Sequence, residues 1–297
     1  MRAPQRSVPP TVSGRWLLKA ASLALLAAAA CAWLTLCLLF WQGGWQLLYH
    51  PTSAVTRTPA SAGLAFDPVS FATTEAGETR LKGWWIPAAA DAHYARYTVL
   101  YLHGQTGNLG DAVDSLASLH AVGVNILAFD YRGYGQSQFV HPSEARWRED
   151  ADWAIEYLTA TRHVAAGTIV LDGKGLGANL ALEVAAAHPE LAGVVVDEPL
   201  DDPANAVFSD PRAELVPARW LFKDRFDERA ATLALRISSL WFLQTSPLTR
   251  GNASDYPEAL EATSSRYMVG WVDSSHPENK DLFWRWLTDL SPNLRSP

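Results

Sequence analysis

The sequence Gly173-Lys174-Gly175-Leu176-Gly177 decides the fold of this chain. An apolar, β-branched run, 168–171, precedes it, and an alanine-rich stretch, 178–188, follows it. This order predicts a strand, a sharp turn and a helix, because glycine adopts backbone angles that strain other residues. The central residue of such a turn projects from the sheet. Here that residue is Gly175, which has no side chain.

The composition excludes several classes of function. A length of 297 residues suits one α/β domain with an extension. With 24 lysines and arginines against 31 acidic residues, the net charge is −7, and we expect no nucleic-acid partner, which would need clustered positive charge. The eight histidines are scattered, without the spacing of metal ligands. We therefore expect no metal and no other cofactor.

An uncharged, apolar segment runs from Ala20 to Trp41. As a helix it would extend roughly 33 Å, enough to cross a hydrocarbon core of about 30 Å. Cations precede the segment at Arg2, Arg6, Arg15 and Lys19, and the first cation after it is Arg57. The positive-inside rule then predicts a cytoplasmic segment, 1–19, a transmembrane helix, 20–41, and a globular part on the opposite, periplasmic or extracytoplasmic side.

Two alternatives to a membrane anchor fit this segment less well. A cleaved signal peptide has a shorter apolar region of about 7–15 residues. A lipoprotein sequence turns polar after its cysteine, whereas this chain stays apolar from Cys31 to Trp41. Cys31 and Cys37 both lie inside the predicted span, so the globular part has no disulfide and no thiol nucleophile.

The rest of the chain divides into a linker and one domain. Glycine, proline and small residues in 42–66 predict a stalk. Segments 69–74 and 79–86 then predict a β-hairpin, after which apolar strands alternate with amphipathic helices. Such alternation is typical of an α/β fold with a doubly wound, mostly parallel sheet covered on both faces. We expect this domain to occupy 67–291, with a tail at 292–297.

Two more motifs accompany the glycine turn. His103-Gly104-Gln105-Thr106-Gly107-Asn108 follows one predicted strand, and Phe-Asp-Tyr-Arg-Gly-Tyr-Gly-Gln-Ser at 129–137 follows the next. With the turn at 173–177 and the late His276, they resemble in order the motifs of the α/β-hydrolase superfamily. The resemblance covers the domain and is closest to the membrane-anchored, serine-aminopeptidase-like group of abhydrolase-domain proteins. It implies an α/β-hydrolase fold behind one N-terminal transmembrane helix.

The resemblance also implies roles for particular residues. The turn corresponds to the nucleophile elbow, so Gly175 stands where the family has its catalytic serine. The backbone amides of Gln105 and Leu176 correspond to the oxyanion hole, which does not depend on side-chain identity. His276 is the candidate base, ahead of the last predicted helix.

The resemblance also implies an acid that orients the histidine, and Pro247 aligns with the family's aspartate at that position of the triad. Asp197, at the end of the preceding predicted strand, is an alternative acid. Neither Asp172 nor Lys174 replaces the serine in this interpretation. Asp172 precedes the apex by three residues, and Lys174 has no sequence neighbour that would lower its pKa.

Loss of the nucleophile decides between the functional hypotheses. Removing a hydrolase's serine typically costs a factor of about 10⁶ in kcat. We therefore expect a catalytically dead or strongly impaired relative that binds a small apolar or acyl ligand, or a protein partner, in the old cleft. The alternative is an active esterase, thioesterase or peptidase with displaced catalytic residues. Segment 211–227, where the family inserts a cap, would cover the cleft, touch the bilayer or pack on the sheet edge.

Overall fold

The structure is a computed structural model that describes residues 13–244, 259–260, 262–263, 266–272 and 278–290. The chain forms two compact units. The helical unit contains the described residues up to Gly44 together with Phe208–Lys223. The α/β unit contains Trp45–Val207 and the described residues from Asp224 onward.

Strands and helices alternate through most of the α/β unit. Within the described residues, its strands are β1 (His50–Pro51), β2 (Asp67–Thr73), β3 (Thr79–Ile86), β4 (Thr98–Leu102), β5 (Thr106–Gly107), β6 (Asn125–Asp130), β7 (Ile169–Lys174), β8 (Gly193–Asp197), β9 (Ser238–Gln244) and β10 (Tyr267–Val272). The α-helices of the whole described chain are α1 (Gly14–Gly43), α2 (Val113–His120), α3 (Glu144–Glu156), α4 (Leu176–Ala187), α5 (Asn205–Phe208), α6 (Pro211–Glu214), α7 (Ala218–Leu221), α8 (Glu228–Ala234) and α9 (Glu278–Asp289).

The main sheet has eight strands in the order β10-β9-β8-β7-β4-β6-β3-β2. Strand β3 pairs antiparallel with both β2 and β6, and every other pairing in this sheet is parallel. The predicted N-terminal hairpin and doubly wound sheet are thereby confirmed. Strand β7 lies between β4 and β8, with Tyr101 opposite Asp172 and Lys174 opposite Asp197. This register brings the carboxyl ends of three strands together at one edge of the sheet.

Residues 45–66, most of the predicted stalk, belong to the α/β unit. Strand β1 pairs in parallel with β5, and the His50 amide donates to the Gln105 carbonyl at 2.8 Å. Leu48 and Tyr49 are buried, and the Tyr49 hydroxyl donates to Asp224 at 2.6 Å. The glycine and proline content of this segment marks turns but does not reveal which backbone groups are paired.

The helical unit combines α1 with a later segment of the chain. Ser13 caps the start of helix α1, because its hydroxyl accepts a hydrogen bond from the Trp16 amide, and most side chains of the helix are exposed. Helix α7 packs against α1, and the Trp33 indole donates to the Leu215 carbonyl at 3.1 Å. Together with its 3₁₀ extension, the helix covers Gly14–Leu47 and is long and apolar enough to cross a membrane.

A buried charge pair joins the loop after β6 to α3. The Arg132 backbone amide donates to Asp150 at 2.8 Å, and its guanidinium contacts the same carboxylate. Asp150 is fully buried, and the Arg132 guanidinium also lies over the Trp153 ring at 4.6 Å. Both carboxylate oxygens of Asp150 are therefore used to hold this loop.

We predict that Asp150→Ala lowers the free energy of unfolding by about 3 kcal/mol, because it removes the buried carboxylate that both the amide and the guanidinium of Arg132 contact and leaves only the half-exposed Glu149 as a counter-charge. Denaturant unfolding of the full chain in detergent at pH 8 measures this loss. Asp152→Ala is the matched control. Asp152 lies on the same helix but is exposed and pairs with His188, so we expect a change of about 1 kcal/mol or less. Equal effects of the two substitutions would contradict the conclusion that the buried contact between Asp150 and Arg132 stabilises the fold.

Candidate active site

The predicted elbow is present at the junction of β7 and α4. Gly175 lies between them with φ +57° and ψ −125°, a conformation that strains residues with a side chain. Its amide donates to the Asp197 carbonyl at 2.9 Å, and its own carbonyl accepts from Ala178 at 2.9 Å. The turn is thus fixed by backbone hydrogen bonds to β8 and to the first turn of α4.

The two outer glycines of the elbow are sterically required, whereas the apex is open. A Cβ at Gly173 would clash with the Gly177 carbonyl, and a Cβ at Gly177 would clash with the carbonyls of Leu102 and His103. A Cβ at Gly175 would meet only the Gln105 Oε1, at 3.4 Å. A serine would therefore fit at the apex, and only backbone strain opposes it.

The predicted oxyanion hole is occupied by a side chain of the protein itself. The Leu176 amide, one of the two predicted donors, donates to the Gln105 Oε1 at 3.3 Å. The Gln105 backbone is held from both sides, since its carbonyl accepts from the Tyr134 hydroxyl at 2.7 Å and from the His50 amide. The Gln105 amide oxygen thus occupies the position that a substrate oxyanion would take.

The loop that carries Gln105 is closed by local hydrogen bonds. Asn108 and Asp111 form a capping box, in which the Asn108 side chain accepts from Gly110 and Asp111 accepts from the Asn108 amide. The side-chain Nδ2 of Asn108 also donates to the Thr52 hydroxyl at 2.7 Å. These contacts explain the asparagine at the end of the 103–108 motif without any role in chemistry.

A buried His–Asp contact lies beneath this loop. His103 Nδ1 is 2.8 Å from the Gly104 carbonyl, so Nδ1 carries the proton and Nε2 faces Asp130 Oδ1 at 3.5 Å. Burial lowers the pKa of His103 to about 4. Burial also raises the pKa of Asp130 to about 7, although the hydrogen bond that Asp130 accepts from the Leu109 amide acts to lower this pKa. His103 is therefore neutral at neutral pH, and the contact is not an ion pair.

The 129–137 motif supports the loops rather than supplying reactive groups. Ser137 donates to the Asp130 carbonyl at 2.6 Å and accepts from the Lys82 amide at 3.0 Å. Gly135 has φ +48°, and a Cβ there would clash with the Asp130 carboxylate. With the Arg132 pair described above, this motif fixes the strand ends around the elbow.

Lys174 and Asp197 form an ion pair at the carboxyl ends of β7 and β8. The Lys174 Nζ lies 3.2 Å from Asp197 and 3.6 Å from Glu198. Although burial opposes its charge, these carboxylates raise the pKa of Lys174, so it stays protonated and is no nucleophile at neutral pH. Burial raises the pKa of Asp197, and the positive charge of Lys174 acts to lower it. Asp197, the alternative acid, is thus already engaged with a cation.

The remaining predicted triad positions are those of the base and of the family's acid. His276 and Pro247 lie outside the described residues, so their distances to the elbow stay untested. Among the residues that the structure describes, no group of three or more histidine, cysteine or acidic side chains could hold a metal ion. The described part of the site therefore offers a shaped turn and amide donors, but no nucleophilic side chain at the apex.

Sequence reasoning missed two features of this region. The first is the side chain of Gln105 in the oxyanion hole, which no motif reveals because it depends on a rotamer. The second is a cavity lined by Asp172, on the sheet face that carries α2. The alternation of β7 could have placed Asp172 on that face, since Val170 is a core residue two positions earlier.

Solved structures with the same fold support the architecture. The esterase Pf2001 of Pyrococcus furiosus is 19% identical, with a TM-score of 0.62 over 82% of this chain and 98% of the esterase. An α/β-hydrolase of Vibrio vulnificus is 20% identical, with a TM-score of 0.59 over 78% of this chain and 81% of that chain. At such identities the likeness shows the fold alone.

Two uncharacterised bacterial proteins are similar in sequence. YfhR of Salmonella typhimurium is 34% identical over 133 residues, which is 44% of this chain and 43% of YfhR. Rv2307c of Mycobacterium tuberculosis is 30% identical over 155 residues, which is 52% of this chain and 53% of that protein. The chain thus matches about half the length of these relatives.

The sequence model of the serine aminopeptidase S33 family matches residues 93–267, more than half of the chain. This range contains the oxyanion loop, the 129–137 motif and the elbow. The chain therefore belongs to the serine aminopeptidase S33 family of the α/β-hydrolase superfamily.

Proposed function

We propose that this protein is a membrane-anchored α/β-hydrolase-fold protein that has lost acyl-transfer catalysis. We propose that it binds a ligand or a protein partner in the cleft at the elbow, where active relatives would bind substrate. The observation that carries the proposal is the elbow itself. Its apex is Gly175, and the adjacent Leu176 amide is taken by Gln105. Nucleophile and oxyanion hole are the two parts that every serine-hydrolase step requires.

Magnitudes favour binding over slow catalysis. Without the serine, about 10³–10⁴ of rate enhancement typically remains, from the oxyanion hole and substrate binding. Here the Leu176 amide is not free for a substrate oxygen, so even that remainder is reduced. The alternative is an esterase, thioesterase or peptidase with a displaced nucleophile. The esterase relatives support it by fold alone.

Membrane attachment is supported by the helical unit. Its long helix carries no charged residue from Ala20 to Gly43, and most of its side chains are exposed. An uncharged, apolar helix of this length matches the thickness of a hydrocarbon core. We propose that α1 spans the membrane with its amino terminus in the cytoplasm.

We predict that the purified full chain does not hydrolyse short p-nitrophenyl esters above the rate of an unrelated detergent-solubilised protein. The reason is the missing nucleophile, since no described side chain replaces it at the apex. Initial rates over a range of acyl lengths measure this. Turnover that His276→Ala abolishes would contradict the proposal and favour the displaced-nucleophile alternative.

Restoring the serine should restore only weak reactivity. We predict faint fluorophosphonate labelling of Gly175→Ser, because Gln105 contacts the Leu176 amide of the oxyanion hole and the resemblance to the family aligns Pro247 with the catalytic acid. Adding Gln105→Ala should increase labelling by freeing the Leu176 amide, a donor worth a factor of about 10²–10³. Adding Pro247→Asp should increase it further.

Lys174→Ser is the matched control for labelling, since it places a hydroxyl in the same turn but not at the apex. We expect no labelling of this variant. Strong labelling of Gly175→Ser alone would show that acid and oxyanion hole are both functional, and would contradict the proposed loss.

We predict that the full chain stays in the membrane after carbonate washing, while a chain that starts at Trp45 is released. Truncation after Gly44 removes the apolar helix and preserves the buried Leu48 and Tyr49. If the truncated protein resists carbonate, the anchor lies elsewhere.

A further inference from the structure

A cavity of about 350 Å³ opens between the sheet and helices α2 and α9. Strands β4, β7, β8 and β9 and the two helices supply its walls. Its lining is mostly apolar and includes Leu119, Val122, Val195, Phe242 and Phe283. Its volume is within the range of small-molecule sites. Of the described candidate catalytic positions, only Asp197, the alternative acid, lines it.

One carboxyl group in this cavity has no partner. Asp172 lines the cavity and is only 6% exposed. Its side chain makes no hydrogen bond and no ion pair with any residue that the structure describes. Its neighbours across the sheet are Tyr101 and Val195, a phenol and an aliphatic side chain. A buried carboxyl group without a hydrogen-bond partner is destabilising unless a ligand or water satisfies it.

The other carboxylates of the cavity are already paired. Asp114, at its rim, accepts two hydrogen bonds from Arg57, at 2.7 and 2.9 Å. Asp197 pairs with Lys174. No lysine, arginine or histidine lies among the described lining residues. An ionised Asp172 would therefore have no cationic partner among the described lining residues, although the nearby charge of Lys174 favours its ionised form.

We propose that this cavity binds a compact organic cation, a protonated primary amine on an apolar or aromatic body, with its ammonium group paired to Asp172. An ammonium group supplies three donors for the carboxylate, and its apolar body fits the aliphatic and phenyl walls. Aromatic side chains such as Phe242 also attract cations. This inference does not depend on the proposed loss of catalysis.

The charged form of Asp172 is accessible to such a ligand. Burial raises the pKa of Asp172 to about 8, with a contribution from Asp197, while Lys174 opposes it. At pH 7 the deprotonated form is thus disfavoured by only about tenfold. An ammonium ion overcomes this difference when it replaces the proton, since hydrogen bonds between charged groups are the strong ones.

Two other ligand classes fit the cavity less well. Divalent metal ions need several oxygen ligands, and no described cluster supplies them. A neutral alcohol or carbonyl compound could form a hydrogen bond with protonated Asp172, but it would supply no positive charge to the ionised form of Asp172. The substitution Asp172→Asn distinguishes the protonated amine from the neutral compound. The asparagine side chain can still form a hydrogen bond with a neutral ligand, but it has no negative charge to pair with a cation.

The test uses the full chain in detergent with 4-fluorobenzylamine and 4-fluorobenzyl alcohol as probes, followed by ¹⁹F NMR titration. Empty micelles serve as the blank for partitioning. We expect saturable binding of the amine and binding of the alcohol at least about tenfold weaker, since a charged hydrogen bond contributes a factor of that size or more. Equal affinities for the two probes would overturn the proposal.

Two substitutions assign the site. Asp172→Asn should weaken amine binding by about tenfold or more and leave alcohol binding unchanged, because the shape is kept and the charge removed. Ser118→Trp, on the α2 wall, should abolish binding of both probes by filling the cavity. Asp67→Asn is the control, since Asp67 is an exposed carboxylate on β2. An amine affinity that Asp172→Asn does not change would also overturn the proposal.

A pH titration provides a second readout that does not require the variants to be equally stable. Amine affinity should rise by up to about fiftyfold between pH 6 and pH 8, because a pKa of about 8 leaves about 1% of Asp172 deprotonated at pH 6 and about half at pH 8, and it should be flat in Asp172→Asn. The other charged or titratable neighbours are Tyr101, Asp114, Lys174 and Asp197. Asp197→Asn should preserve the rise. If Asp197→Asn removes it instead, the cation binds Asp197 and the assignment to Asp172 is wrong.

Discussion

The close backbone approach at the β7–α4 turn is the constraint on which the rest of this site depends. Gly177 lies directly against the carbonyls of Leu102 and His103, and Gly173 against the Gly177 carbonyl. No side chain is tolerated at either position, so the turn can form only with glycine there. The apex experiences no such restriction. The architecture of the site is therefore independent of the residue that performs catalysis in hydrolases, which explains how the elbow persists with Gly175.

Buried polar contacts hold the surrounding loops in place around this turn. Asp130 accepts from the Leu109 amide, and Asp150 accepts from Arg132, so each loop is tied to a neighbouring element by a carboxylate. The motifs that resemble catalytic signatures therefore have structural reasons to exist. A sequence can keep them for stability alone, and their presence does not by itself argue for enzymatic activity.

Much of the fold was predictable from sequence, and the failures have physical causes. Periodic apolar runs revealed the strands and helices, and the spacing of the glycines revealed the elbow, because both follow from local backbone geometry. The packing of residues 45–66 was not predictable, since it depends on which backbone carbonyls are free in a distant loop. The rotamer of Gln105 and the isolation of Asp172 likewise depend on tertiary neighbours. The predicted roles of His276 and Pro247 remain predictions.

The hydrogen bond from Leu176 to Gln105 has a consequence for any molecule that enters the cleft. Because Gln105 is tethered, its amide oxygen competes at an effective concentration that for short links is on the order of millimolar or more. Every incoming carbonyl compound must first displace this internal competitor, which lowers its apparent affinity. Molecules whose affinity rests on that one contact are excluded, whereas those with extended apolar contacts elsewhere are admitted. The Gln105 side chain thus raises the affinity that a ligand needs before it can bind at the Leu176 amide.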